Sequence, residues 1–169
     1  MSVYVDHGNQ WRTTMSHAHL KAVRESPAFE GLAGYGFGGV PGRLAPDGAA
    51  EVLPVIDVSL GFFDILRVRP LVGRLFQADE YETPDTFLAV ISEHLWRTRY
   101  GADPSAVGRP LWVRGQPFTI IGIVRHFRGL EPIGAEDIWV PYGTRAALGK
   151  DHDAHQNMVG RLRPGVSLQ

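Results

Sequence analysis

The sequence predicts a single α+β domain, and three observations carry that prediction. Hydrophobic residues make up 44% of the 169 residues, the proportion of a packed globular chain. Short apolar runs bounded by glycine, proline and polar residues alternate with stretches whose apolar residues recur every three or four positions, so strands and helices interleave. Helix starts, helix stops and a hairpin turn fall at usable spacings between Val58 and Ile123.

Taken in order, residues 1–12 are polar and aromatic without a clear period; Tyr4, Val5 and Trp11 suit a short strand or a packed arm. Thr13 or Thr14 is placed to cap a helix running to about Glu25, with Met15, Leu20 and Val23 inward and His17, His19, Lys21 and Arg24 toward water. Pro27 ends it. Residues 32–40 predict a strand weakened by Gly34, Gly36, Gly38 and Gly39. A Gly/Pro/Asp-rich turn over 41–49 leads to a second strand over 51–58, making a hairpin.

Ser59 then reads as the N-cap of a helix with Phe62, Phe63 and Leu66 on one face and Asp64 opposite. Arg69-Pro70 stops it, because the residue before proline is pushed out of the α region. Gly73-Arg74 is a turn leading to Phe76. Residues 87–91 form a short apolar run, a buried strand. Ser92 caps the next helix with Glu93 in its first turn; Leu95, Trp96 and Tyr100 face inward and Gly101 ends it. Asp103-Pro104 opens a short helical turn that Gly108 closes. Leu111 and Val113 alternate with Trp112 and Arg114, a strand signature. Arg114-Gly115 connects it to residues 118–124, either tightly or through a three-residue loop with a bulge. That last run is apolar on both faces, so it belongs at the centre of a sheet. Residues 126–136 form a loop, 137–142 a short strand, 144–148 a turn or two of helix, and 158–162 a last strand. Ser167 is placed to cap a helix that the sequence does not reach, which predicts a piece of a longer chain.

Composition narrows the function classes. Seventeen basic and 18 acidic residues leave a formal charge of −1, with no basic footprint for nucleic acid. The absence of cysteine removes thiolate metal sites, cysteine nucleophiles and disulfides. No apolar run approaches the roughly 20 residues of a membrane-spanning helix, and the start has no basic-then-apolar leader.

The chemistry-bearing clusters favour structural roles. Asp151, His152, Asp153 and His155 are the one group with metal-ligand character, but they lie in a loop without a rigid frame and read as a hydrated turn. His17 and His19, two apart on a helix, point opposite ways and read as solvent-facing. Asp79, Glu80, Glu82 and Asp85 read as a solvated acidic loop rather than a paired-carboxylate site. Gly34, Gly36 and Gly38 lack the strand-before, helix-after setting of a phosphate loop and read as a pliable strand. Arg74 has the planar guanidinium suited to bidentate anchoring on a carboxylate or on carbonyls. Trp112 shares a face with Arg114, a placement that suits an interface. Residue chemistry thus predicts no catalytic, cofactor or metal site. The expected structural anchors are Ser59, Phe62, Phe63, Gly73, Arg74, Phe76, Trp96, Gly101, Pro104, Gly108, Gly115, Trp139 and Pro141.

Over residues 27–168 the order and spacing of these features resemble the MacB-type periplasmic core domains of ABC transporter permeases, the MacB/FtsX/LolC kind. The segments that carry the likeness are VSLGFFDILRVRPLVGRLF from Val58, FLAVISEHLWRTRYGADPSAVGRPLWVRGQPFTIIGIV from Phe87, DIWVP from Asp137 and GRLRPGV from Gly160. The Arg114-Gly115 turn departs from the asparagine-glycine of relatives. The resemblance implies a porter-like outer α/β subdomain, residues 1–57 and 143–169, cut short at its C-terminal end, with a small mixed α/β subdomain inserted over 58–142. It implies a non-catalytic domain in the periplasm that passes transmembrane-helix motion to a substrate or partner, in an efflux or lipoprotein-release system. Implied partners are the parent permease helices, a cytoplasmic ATPase, a periplasmic adaptor or a lipoprotein, and a second copy in a full-length dimer, with no nucleic acid. The alternative from the residues is a stand-alone ligand-binding module with a cleft between two lobes. A metal-dependent hydrolase built on Asp151, His152 and His155 is the remote third.

Overall fold

A computed structural model describes residues 16–125, 138–151 and 156–166. Eight strands form one mixed sheet: β1 (Phe29–Arg43), β2 (Glu51–Val58), β3 (Pro70–Gly73), β4 (Leu88–Ser92), β5 (Pro110–Val113), β6 (Gln116–Val124), β7 (Ile138–Pro141) and β8 (Asn157–Leu162). The helices are α1 (His17–Arg24), α2 (Phe62–Ile65) and α3 (Glu93–Tyr100).

The sheet closes on itself. β1 pairs with β2, β2 with β7 in parallel, β7 with β4, β4 with β6 in parallel, β6 with β5, and β5 returns to the end of β1 at Gly42 and Arg43. A closed ring leaves no open edge along those pairings. β1 makes this possible by its length: residues 29–35 pair with β8, 35–42 with β2, and its last two with β5. β3 adds to β6 beyond β5.

Strand alternation sorts the apolar side chains into two layers. Leu53, Val55, Ala89, Ile91, Leu111, Val113, Phe118, Ile120, Ile138 and Val140 pack together inside the ring. Ile56, Val58, Val90, Ile121, Val124 and Trp139 point outward and are covered by Phe62 and Phe63 of α2 and by Phe76 and Tyr81. β6 keeps apolar residues on both faces, as its sequence predicts, with a bulge opposite Ala89 and Val90. At the end of the barrel near the β1–β2 turn lies α3. Its Leu95 and Trp96 join the interior, Arg99 pairs with Glu51 at 2.5 Å, and the Tyr100 hydroxyl donates to the Leu44 carbonyl at 3.2 Å.

Helix ends at α3 follow the residues. Ser92 accepts from the Leu95 N–H, and Gly101 takes the left-handed conformation at φ 61°. Asp103 caps the turn at Pro104. Arg114-Gly115 forms the two-residue connection, both at positive φ (49° and 83°), with Val113 opposite Gln116.

Four expectations are corrected. Ser59 does not cap a helix: its Oγ accepts from the Gly34 N–H at 2.8 Å, stitching the end of β2 to β1, and Gly61 stands at the N-cap of α2. α2 is only four residues long and ends before Arg69-Pro70 is reached, because Arg67 turns left-handed at φ 54°. Pro70 starts a strand instead. β1 is longer than the glycines suggested, and the turn or two of helix expected over 144–148 starts two residues earlier, as a 3-10 turn over Tyr142–Thr144 that runs on into a turn where the Leu148 N–H donates to the Thr144 carbonyl. The cap proposed at Thr13 or Thr14 and the loop over 126–136 lie outside the described residues; within them Ser16 caps α1.

Candidate functional site

At the end of the barrel away from α3 the interior changes chemistry. Alternation along β2 puts Asp57 in line with Leu53 and Val55, so its carboxylate enters the barrel, fully buried. Two cations reach it from the segment after β7. Lys150 Nζ donates to Asp57 Oδ1 and lies 3.4 Å from the Gly36 carbonyl oxygen. Arg145 Nε stands 3.6 Å from Oδ2, and Arg145 is only 3% exposed. Desolvating a lone carboxylate costs several kcal/mol, and it persists where cations surround it.

Opposite Asp57 the strand carries no side chain. A Cβ on Gly36 would lie 2.7 Å from both Asp57 oxygens, and one on Gly34 would lie 1.9 Å from Gln156 Oε1. The alternate glycines of β1 therefore make room for Asp57 and Gln156; pliability is not their role, since β1 runs unbroken over 15 residues.

From Arg145 the contacts continue outward in a row. Its guanidinium lies 5.1 Å from the Tyr142 ring centroid, a cation–π distance. Tyr142 stacks on His17 of α1 with centroids 4.0 Å apart and planes 13° from parallel. His17 Nε2 is 3.4 Å from Glu82 Oε1, and Lys21 Nζ is 2.8 Å from Glu82 Oε2. His17 and Lys21 are four apart on α1 and so share a face. Partial burial pulls the Glu82 carboxyl up, but Lys21 and His17 outweigh it and hold the group below the usual carboxylate range. The Gly143 N–H donates to the Tyr81 carbonyl at 2.9 Å beside this row.

Two expectations change here. His17 is buried at 7% exposure rather than solvent-facing, whereas His19 is exposed beside Ser16. The acidic loop is not uniformly solvated: Asp79 and Asp85 are exposed, but Glu82 ties α1 down and Glu80 holds Arg74. Arg74 Nη1 and Nη2 donate to the two Glu80 oxygens at 2.7 and 2.8 Å, with a third bond from Nη1 to the Leu75 carbonyl. That bond to Arg74 is the main reason the Glu80 carboxyl lies below its ordinary range.

The remaining anchor residues are spread through the fold. Phe63 sits among Phe62, Phe76 and Trp139 at centroid separations of 5.3, 5.9 and 6.1 Å. Trp96 Nε1 donates to the Asp103 carbonyl at 2.8 Å. Gly73, Gly101, Gly108 and Gly115 all have positive φ, Pro104 opens its 3-10 turn, and the Pro141 carbonyl accepts from Thr144 Oγ1 at 2.7 Å. Trp112 is half-buried under the Arg43 guanidinium, 4.9 Å from its ring. Asp151 is exposed; His152, Asp153 and His155 lie outside the described residues, among which no group of three or more possible ligands could hold a metal.

Sequence reasoning missed Asp57, Arg145 and Lys150. The signal was present for Asp57: a carboxylate in Val-Leu-Pro-Val-Ile-Asp-Val, on the same alternating face as two core residues. Arg145 and Lys150 follow an irregular turn and carry no periodic mark.

The architecture, one large mixed sheet with few helices, is that of MacB-type periplasmic domains. Residues 1–169 match the family described as MacB-like periplasmic core domain, and the chain belongs to that family. It is the extracytoplasmic domain of a MacB-like ABC transporter permease. Similar solved structures include two transporter domains. One is the extracellular domain of the ABC-type transporter YknZ from Gram-positive bacteria, with TM-score 0.73, 14% identity, and coverage of 90% of this chain and 75% of that one. The other is the periplasmic region of MacB from Actinobacillus actinomycetemcomitans, with TM-score 0.72, 13% identity, and coverage of 92% and 68%. At these identities the likeness speaks for the fold. No curated protein matches the sequence.

Proposed function

We propose that this domain transmits motion of the permease's transmembrane helices to a periplasmic substrate or partner without chemistry of its own. The supporting observation is the row of contacts from Lys150 and Asp57 through Arg145, Tyr142 and His17 to Glu82 and Lys21. It joins α1, β2, the segment after β7 and the loop over 77–87, so α1 cannot shift without loading elements far from it in sequence. In this reading residues 58–142 form an inserted lobe and residues 1–57 with 143–169 an outer one, the two sharing the barrel that β1 and β2 close with β4 to β7. Asp57, Tyr142 and Arg145 then stand at both chain crossings between the lobes. The outside partner is a periplasmic adaptor or a lipoprotein, and the working permease is a dimer.

The test uses the full-length permease with its ATPase in proteoliposomes. Tyr142→Ala with Glu82→Gln should leave ATP hydrolysis within twofold of wild type while export falls at least fivefold. Export and hydrolysis both unchanged, with the variant domain folded by circular dichroism, would remove the relay.

A further inference from the structure

A second feature lies apart from that row, where α1, the start of β1, α2 and β8 meet. A cleft of about 310 Å³ opens there, and three arginines line it: Arg24, Arg67 and Arg161, with Glu30 and Asp64 at its wall. The volume falls at the lower end of small-molecule sites.

Three observations point to an anion. First, the lining carries one positive charge in excess. Second, two of its guanidiniums are uncommitted. Arg161 is largely buried and donates from Nη2 to the Ile65 carbonyl at 2.6 Å, with Nε 4.0 Å from Glu30 Oε2. Among the described residues Arg24 and Arg67, by contrast, engage no carboxylate or carbonyl. Third, Arg67 occupies a backbone position that an arginine fills at a cost. α2 ends in a Schellman motif: the Val68 N–H donates to the Phe63 carbonyl and the Arg67 N–H to the Asp64 carbonyl, both at 2.9 Å. That motif sets Arg67 at φ 54°, where glycine is the default residue and another side chain is disfavoured by about 1 kcal/mol or more. Strain held at the wall of a cleft suggests that the side chain is needed where it stands.

We infer that this cleft binds a small organic anion, its carboxylate or phosphate held between the Arg24, Arg67 and Arg161 guanidiniums and its body against Ile65. Planar guanidiniums suit either oxyanion, since both accept paired N–H bonds. The site is separate from the relay proposed above and does not depend on it.

Arg67→Gly is the informative variant, because it removes the guanidinium while relieving the backbone, so the fold should hold or gain stability. Titrating the 169-residue chain with succinate, phenyl phosphate and inorganic phosphate by calorimetry and amide NMR should show saturable binding of at least one. Shifts should centre on residues 24, 30–32, 61–67 and 161. A preference for succinate over phenyl phosphate, or the reverse, identifies the oxyanion; inorganic phosphate alone would show that the apolar wall contributes nothing and overturn the organic-anion assignment. Arg67→Gly and Arg24→Gln should each weaken binding at least tenfold. No saturable response, equal affinity in Arg67→Gly, or an equal response to choline would overturn the site.

Discussion

The two mouths of the barrel are closed by opposite chemistries. At the β1–β2 turn, α3 brings Leu95 and Trp96 against the interior, and its polar contacts, Arg99 with Glu51 and Tyr100 with Leu44, lie at the periphery. At the far mouth the plug is Asp57 held by Lys150 and Arg145, with glycine instead of side chains on the facing strand. An apolar plug yields in proportion to what is removed, because each contact is weak and many share the load. A charged plug fails abruptly, because deleting one member leaves the others desolvated without compensation.

The largest expected effect separates these two behaviours. Asp57→Ala should destabilise the domain by about 3–5 kcal/mol, since it strands Lys150 and Arg145. Lys150→Met should then cost less in the Asp57→Ala background than in wild type, as expected for partners in one network. Leu95→Ala, at the other mouth, should cost about 2–5 kcal/mol and add independently to Asp57→Ala. Urea denaturation of the three single and two double variants reads all of this. An Asp57→Ala protein within 1 kcal/mol of wild type would mean that the charged mouth contributes little to the fold.

The next effect is smaller and geometric. Gly36→Ala introduces a Cβ 2.7 Å from both Asp57 oxygens, and Asp57 cannot retreat because it is fully buried. Overpacking of this kind costs about 1–3 kcal/mol. Shortening the side chain opposite should relieve it, so Gly36→Ala should become nearly neutral in Asp57→Ala. A penalty of equal size in both backgrounds would place the strain in the backbone and not in the carboxylate.

The same contrast explains how much could be read in advance. Apolar elements announce themselves through period: β2, β6 and α3 emerge within a residue or two of their positions because burial repeats every two or three to four residues. The Ser92 and Asp103 caps emerge because a cap is a local device. Ring closure does not, since it depends on β1 pairing in turn with β8, β2 and β5, and no local pattern records three partners. Ser59 departs from its sequence pattern for a related reason: a serine before an apolar run looks like a cap, but its hydroxyl accepts from the Gly34 N–H, 25 residues away in sequence. The row from Asp57 to Glu82 was legible in pieces. Asp57 interrupts an apolar run, and His17 and Lys21 share a helical face, yet the partners that give them meaning lie on distant segments.

The smallest effect concerns the outer end of that row of contacts, where charge is only partly sheltered. Glu82 is held below the usual carboxylate range in the folded chain because Lys21 and His17 outweigh its partial burial. A lowered folded-state value means that the unfolded chain takes up a proton first as acid is added. The tie therefore contributes fully above the ordinary carboxylate range, and its contribution is lost as pH falls through the lowered value. Glu82→Gln keeps the volume and removes the charge, so it should cost up to about 1 kcal/mol near neutrality, as partly exposed pairs do. The variant should also lose less stability than wild type on acidification. The gap between the two curves should narrow toward low pH, and added salt should narrow it near neutrality by screening the same charges. Parallel curves at every pH would mean that α1 is held by the His17–Tyr142 stack alone, through ring packing instead of charge.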